Sequence, residues 1–368
     1  MTMLTLIPAT EPASAQTGAK PPATDMKSEP AQVDKDMERV LKKLSELGAK
    51  PLSTLTVEQA RKQPTPKDAV EAVLKDDGKS ASDLMAQMKI SKQDMTYPTG
   101  GGSQPIRIYT PQGQAPKDGF PVIVYIHGGG FVIADINTYE GSAMALSKKA
   151  NAIVASIEYR HAPEHKFPSS HDDANAAYKW VIEKAGTWNG NAKKIGLVGE
   201  SAGGNLAMNV AIAARDQKLQ MPVAIVAVYP VAGVDTATPS YEKHAKASPL
   251  GKADMLWFFD KELSKPEDKQ DARLDLIGKA NLKDLPPTLV ITAEIDPLMS
   301  DGKLLADKLT KVGNATNYEN FDGVSHEFFS MGALLKKADS AENLAANILS
   351  SAFESAGANS SGQQRSEK

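Results

Sequence analysis

Six short runs of strand-forming residues alternate with segments of helical period from residue 120 onward, and this alternation restricts the fold more than any other feature. The runs are FPVIVYIH (120 to 127), AIVASIEYR (152 to 160), KIGLVGE (194 to 200), VAIVAVYP (223 to 230), TLVITAEID (288 to 296) and ATNYENF (315 to 321). Several are apolar throughout, as strands covered on both faces must be. Between and after them, DDANAAYKWVIEKAGTW, AGGNLAMNVAIAARDQ, SDGKLLADKLTKVG and ADSAENLAANILSSAFES repeat apolar residues at helical spacing. Strand and helix in turn predict an α/β fold, with a mostly parallel central sheet flanked by helices.

Two stretches depart from the alternation. Residues 35 to about 90 read as helical: Met37, Val40, Leu41, Leu44 and Leu47 share one face, and Gly48 stands where a C-terminal cap belongs. Thr56 with Gln59, and Thr65 with Pro66 and Asp68, carry the pattern of helix starts. Between the runs at 223 and 288 lies a segment, containing KADMLWFFDKEL, too long for a simple crossover, so an insertion over the sheet's carboxyl edge is expected. That edge is where open α/β sheets bind ligands.

The chemistry available is narrow. There is no cysteine among the 368 residues, which removes disulfides, thiol nucleophiles and thiolate metal sites. A net charge of -3 supplies no field for a polyanion, so no nucleic-acid partner is expected, and a small neutral ligand is the starting expectation. No stretch approaches the roughly 20 apolar residues of an integral membrane segment. Met3 to Ile7 with Ala13-Ser14-Ala15 suggests a truncated signal peptide, although a basic start is lacking and the apolar run is short. The expected location is cytoplasmic, or periplasmic or secreted where that leader acts.

Gly199-Glu200-Ser201-Ala202-Gly203 is a G-x-S-x-G placed between a strand and a helix, where such an elbow lifts a serine hydroxyl above the sheet. His127-Gly128-Gly129-Gly130-Phe131 ends the first apolar run. Glycines there let backbone amides converge on one point, as an oxyanion hole requires, and the expected donors are Gly129, Gly130 and Ala202. A serine needs a base. Of the six histidines, His326 alone follows the last strand, and Asp296 closes the run before it, ahead of Asp235 and Asp301 as the orienting acid. His161, His165, His171, Asp172 and Asp173 crowd one region, but Pro163 interrupts the helix that would align them, and neither a metal nor a cofactor is expected. Phe131, Tyr229, Trp257 and Phe328 are the candidate lining of an apolar substrate pocket.

With HGGGF (127 to 131), EYRHAPEHKFP (158 to 168), GESAGG (199 to 204), DPL (296 to 298) and SHEFF (325 to 329) in order, the chain resembles the hormone-sensitive lipase family of α/β-hydrolases, specifically its bacterial esterases. The resemblance spans about residues 100 to 350. It implies a triad of Ser201, Asp296 and His326, oxyanion donors at Gly129, Gly130 and Ala202, and a helical cap. The layout expected on that basis is a disordered leader or tail over 1–34, N-terminal cap helices over 35–95, a catalytic domain over 96–232 and 285–355, a cap insertion over 233–284, and a disordered tail over 356–368. The chain departs from the family at His161, often Leu there, at Lys166, often Pro, at Glu200, commonly Asp or Thr, and at Glu327, commonly Gly.

The resemblance implies a carboxylesterase acting on short-chain acyl and aryl esters through an acyl-enzyme, with a small-molecule ester as partner and a homodimer as the assembly to look for. Two alternatives share these residues. One is an amidase or lactonase with the same triad; the other is a ligand receptor without catalysis, against which the presence of His326 speaks.

Overall fold

In a computed structural model that describes residues 32–366, eight strands form a single sheet ordered β1-β2-β4-β3-β5-β6-β7-β8. The chain enters through α1 (Lys35–Glu46), α2 (Val57–Lys62), α3 (Pro66–Asp76) and α4 (Ala81–Gln87). Each of these starts is fixed by a side chain that satisfies otherwise unpaired amides. Asp34 accepts from the amides of Asp36 and Met37, while Thr56 with Gln59 and Thr65 with Asp68 form reciprocal capping boxes. Gly48 takes a left-handed φ of 90° just beyond α1, where a side chain would be strained. The segment 1–31, which includes the suggested leader, lies outside the described residues.

The sheet begins earlier than the sequence suggests. β1 (Ile90–Thr99) and β2 (Gly102–Pro111) form an antiparallel hairpin, so residues 90 to 95 belong to the sheet and not to the helical segment. β1 is an edge strand whose side chains are mostly exposed, so it carries no apolar run to betray it. β2 also runs antiparallel to β4. From there the topology is β3 (Phe120–Ile126), α5 (Glu140–Ala150), β4 (Ile153–Ile157), α6 (Ser169–Lys184), β5 (Gly190–Glu200), α7 (Ala202–Asp216) and β6 (Ile225–Val228), then the insertion with α8 (Pro239–Lys243) and α9 (Lys252–Glu262), and finally β7 (Thr288–Ile295), α10 (Met299–Lys311), β8 (Thr316–Ser325) and α11 (Lys336–Ser366). Strands β3 to β8 are mutually parallel.

Alternation along each strand feeds two cores. Val122, Val124 and Ile126 of β3 join one cluster with Leu206 and Val210 of α7 and Leu305 of α10. Ile123 and Tyr125 point the other way, into a cluster with Val40 of α1, Leu146 of α5 and Leu349 of α11. Burying each such aliphatic side chain stabilises the fold by about 1.5 to 3 kcal/mol. α5 lacks a clear sequence signature because its Ala, Ser and Met residues are buried on several sides and leave no polar stripe. α11 continues to Ser366 through the polar stretch expected to be a tail, where extending an existing helix avoids the cost of a new nucleus.

The N-terminal helices and the insertion meet each other. Asp254 of α9 accepts from the amide of Ser53 at 2.9 Å, and Trp257 donates its indole N–H to the Leu55 carbonyl at 3.1 Å. Arg61 of α2 ties the same segment to the sheet side by donating to the carbonyls of Val132 and Ala162 and gripping Glu164 with both terminal nitrogens.

Candidate active site

Each of the expected reactive groups sits one residue beyond the carboxyl end of a parallel strand. Ser201 follows β5, Asp296 follows β7 and His326 follows β8, while the glycine loop follows β3. Pairing of Ile295 with Ser325 brings the last two ends side by side, and the Ser201 amide donates to the carbonyl of Val228, the last residue of β6. Sheet register thus does most of the assembly.

Ser201 occupies the elbow in a left-handed conformation, φ 56° and ψ −118°. A serine held there stores of order 1–3 kcal/mol of strain, which the surrounding packing must offset. The packing leaves no room for larger neighbours: a Cβ on Gly199 would lie 2.0 Å from the Gly203 carbonyl oxygen, and one on Gly203 would lie 2.0 Å from that of Ile126. Oγ therefore projects at the first turn of α7, where the helix dipole favours negative charge.

His326 joins the serine to the acid. Its Nδ1 lies 2.7 Å from Oδ2 of Asp296 and its Nε2 lies 3.0 Å from Oγ of Ser201. A carboxylate only accepts, so Nδ1–H donates to Asp296 and Nε2 is left to accept from the serine. Asp296 is wholly buried, and its other oxygen accepts from the amide of Leu298 at 2.8 Å. Burial by itself would push the His326 pKa down; attraction and hydrogen bonding to Asp296 outweigh it, with Glu327 and Glu200 adding, so the pKa lies above the ordinary imidazole value. Neither rejected carboxylate is bonded to His326. Asp235 accepts from the Ala237 amide on an exposed turn, and Asp301 accepts from the amides of Ala232 and Gly233 in a buried site that raises its pKa to about 8.

Opposite Ser201, Gly129 and Gly130 adopt φ of 93° and 58°. Among the described residues no backbone acceptor is bonded to the amides of Gly129, Gly130 or Ala202, while the Gly129 carbonyl is taken by Val132 and Ile133. A side chain is excluded at both glycines, since a Cβ on Gly129 would meet the Ile133 carbonyl oxygen and one on Gly130 the ring of Phe258.

Two neighbours that the sequence marked only as unusual prove to be structural partners. Glu200 is buried beneath the site and accepts hydrogen bonds from the hydroxyls of Tyr125 and Tyr229; burial first, then the charge of Glu327, pushes its pKa up to about 7. The Tyr229 ring in turn lies against the imidazole of His326, with centroids 4.4 Å apart. Glu327, itself left-handed at φ 72°, accepts from the hydroxyl of Tyr139 at 2.7 Å.

Ser201, His326, Gly129 and Gly130 open onto a cavity of about 670 Å³ walled by both cap segments, through Leu44, Ala60, Leu250, Met255 and Phe258 among others. The four aromatic residues expected to line it do not. Phe131 follows the glycines at φ 65° and turns inward to stack on His171. Tyr229 backs His326, and Phe328 is wholly buried in the core with Phe321 against it. Trp257 faces the N-terminal segment through its bond to Leu55, and the next residue, Phe258, takes the wall position. Nor do the crowded histidines and acids assemble. His171 reaches Asn205, Asp173 pairs with Arg160, and His165 is exposed.

Comparison with known proteins agrees with this geometry. Residues 123–330 match the family described as alpha/beta hydrolase fold. The chain is 29% identical to an ethyl acetate hydrolase of Pseudomonas putida over 290 residues, covering 78% of this chain and 88% of that protein. With the carboxylesterase NlhH of Mycobacterium tuberculosis it shares 33% identity over 264 residues, 71% of this chain and 82% of the relative. The solved hyperthermophilic esterase of the archaeon Pyrobaculum calidifontis superposes with a TM-score of 0.72 at 32% identity, over 85% of this chain and 97% of that one. The chain belongs to the alpha/beta hydrolase fold family, in the hormone-sensitive lipase type that its motifs resemble.

Proposed function

We propose that this serine ester hydrolase cleaves small carboxylic esters with Ser201 as nucleophile, His326 as general base and acid, and Asp296 as the group that orients the imidazole. The observation that carries the reading is the buried bridge of His326, 3.0 Å from the serine oxygen on one side and 2.7 Å from the aspartate on the other. Oγ attacks the ester carbonyl carbon while its proton passes to Nε2. The oxyanion that forms is met by the amides of Gly129, Gly130 and Ala202, each such donor being worth roughly 10² to 10³ in rate. Collapse breaks the bond to the alcohol, which leaves with the proton held on His326. Water then repeats the sequence on the acyl-serine and regenerates the enzyme.

The names of the relatives, an ethyl acetate hydrolase among them, favour a short acyl group. A cavity of about 670 Å³ adds room on the alcohol side for an aryl group. The test is a turnover profile over p-nitrophenyl esters of increasing acyl length with the wild type and Ser201→Ala. Short acyl chains should turn over fastest, and the variant should lose on the order of 10⁶ in kcat; wild-type turnover by Ser201→Ala would end the assignment.

A further inference from the structure

Beneath the start of the glycine loop, two imidazoles and a carboxylate converge in an arrangement that ester hydrolysis does not use. His127 Nε2 lies 3.0 Å from Oε1 of Glu158, and His161 Nε2 lies 3.2 Å from the same oxygen. The three ligand atoms fall within 4.8 Å of one another. His127 is wholly buried, whereas Glu158 and His161 keep 15% and 17% of their side-chain surface exposed.

Hydrogen bonding between neutral rings and the carboxylate does not explain the set. His127 Nδ1 is 2.9 Å from the Gly128 carbonyl, which only accepts, so Nδ1 carries a proton, and in a neutral ring Nε2 would turn its lone pair toward a carboxylate oxygen. His161 Nε2 is buried and makes no hydrogen bond despite its closeness to that oxygen. A cation shared with the carboxylate, either a proton on a ring or a bound metal, reconciles these lone pairs with it. Bonds of about 2.0 to 2.2 Å at a tetrahedral metal set neighbouring ligand atoms roughly 3.3 Å apart, close to both separations. A ring whose remote N–H is anchored on a backbone carbonyl is also how metal-bound histidines are oriented. The carboxylate is held in place as well, by the amides of Ile136 on Oε2 and Tyr159 on Oε1.

We propose that His127, Glu158 and His161 form a binding site for one first-row divalent metal of the zinc class. Two imidazole ligands select against calcium and magnesium, and a set of two histidines and one glutamate leaves a fourth position for water. The site acts on the fold. His127 opens the loop that carries Gly129 and Gly130, and Tyr159 clamps the same turn by stacking on the His127 ring at 4.4 Å and donating to the carbonyls of His127 and Gly128. The inference does not depend on the ester-hydrolase mechanism, because its measurement is binding.

The full chain, stripped with a chelator, is titrated with Zn²⁺ by calorimetry and with Co²⁺ by visible absorption, beside His161→Leu and Glu158→Gln. Expected for the wild type are about one zinc per chain, tetrahedral cobalt bands, and a melting temperature that rises with zinc. Both variants should bind at least tenfold more weakly and lose the cobalt bands, while His161→Leu keeps its ester turnover in chelator, which shows that it folds. A wild type that binds no zinc, or variants that bind it as the wild type does, would overturn the proposal and leave the cluster as an imidazolium held by Glu158.

Discussion

The hydroxyl of Tyr139 donates to Oε1 of Glu327 at 2.7 Å, and that oxygen stands 3.9 Å from Nε2 of His326. A second carboxylate therefore faces the base on the side where it must take up a proton. Its charge is one of the influences that lift the His326 pKa against burial. Only neutral His326 can accept the serine proton, so activity falls on the acid side as the ring becomes charged. Replacing Glu327 by Gln removes one charge and should move the acid limb of kcat/KM to lower pH. An acid limb left in place, or shifted upward, would show that Tyr139 and Glu327 only brace the loop.

Asp296 offers a sharper contrast. Its two oxygens hold Nδ1–H of His326 and the Leu298 amide, whereas Asp235 caps an exposed turn. Asp296→Asn can present an N–H where an acceptor is needed and so favour the wrong imidazole tautomer. A fall in kcat of about 10⁴ is expected for an otherwise folded enzyme. Asp235→Asn should leave kcat within a factor of two or so. Steady-state kinetics on one p-nitrophenyl ester, with circular dichroism as the check on folding, decides between the two acids; an inactive Asp235→Asn beside an active Asp296→Asn would reverse the assignment.

What could be read from the residues follows from how each element is solvated. Strands β3, β4, β6 and β7 declare themselves because burial on both faces makes them largely apolar, while the β1 and β2 hairpin, wet along much of its length, does not. Ser201, Asp296 and His326 were legible because chain order and strand ends confine each to one loop. The pocket lining was not, since successive residues on a helix point about 100° apart and the sequence does not fix the rotation of α9. Trp257 and Phe258 are adjacent aromatics, yet only the second faces the glycines. The bond from Tyr139 to Glu327 joins residues 188 apart, and no local pattern announces it.

Glu200 links the site to stability. Its carboxyl, wholly buried, has a pKa raised from the ordinary 4.5 to about 7, burial being the main cause. A raised pKa means that the folded state favours the protonated acid, so the contribution is complete below about pH 4.5 and is lost as pH rises through about 7. The loss approaches about 3 kcal/mol at alkaline pH. Glu200→Gln keeps the shape without the charge, and its amide can still bond to Tyr125 and Tyr229. Wild type and variant should unfold at similar denaturant near pH 5, with the variant the more stable at pH 8. Equal pH dependence of the two midpoints would show that Glu200 does not ionise in this range.

Gly130 and Phe258 test how the cap constrains the oxyanion loop. Gly130 has φ 58°, and a Cβ there would lie 2.2 Å from Cδ1 of Phe258, so Gly130→Ala carries both backbone strain and a clash with α9. The strain alone is about 1–2 kcal/mol, while the clash must displace either the ring or the loop. Displacing the Gly130 amide removes one expected oxyanion donor, and kcat should fall by roughly 10² to 10³ with a smaller change in KM. Adding Phe258→Ala relieves the clash and leaves the strain, so the double variant should regain part of the lost kcat. Phe258→Ala alone enlarges the cavity and should raise the relative turnover of bulkier esters. If the double variant is no faster than Gly130→Ala, the loss comes from the backbone of the glycine loop, and α9 does not set the position of the amide.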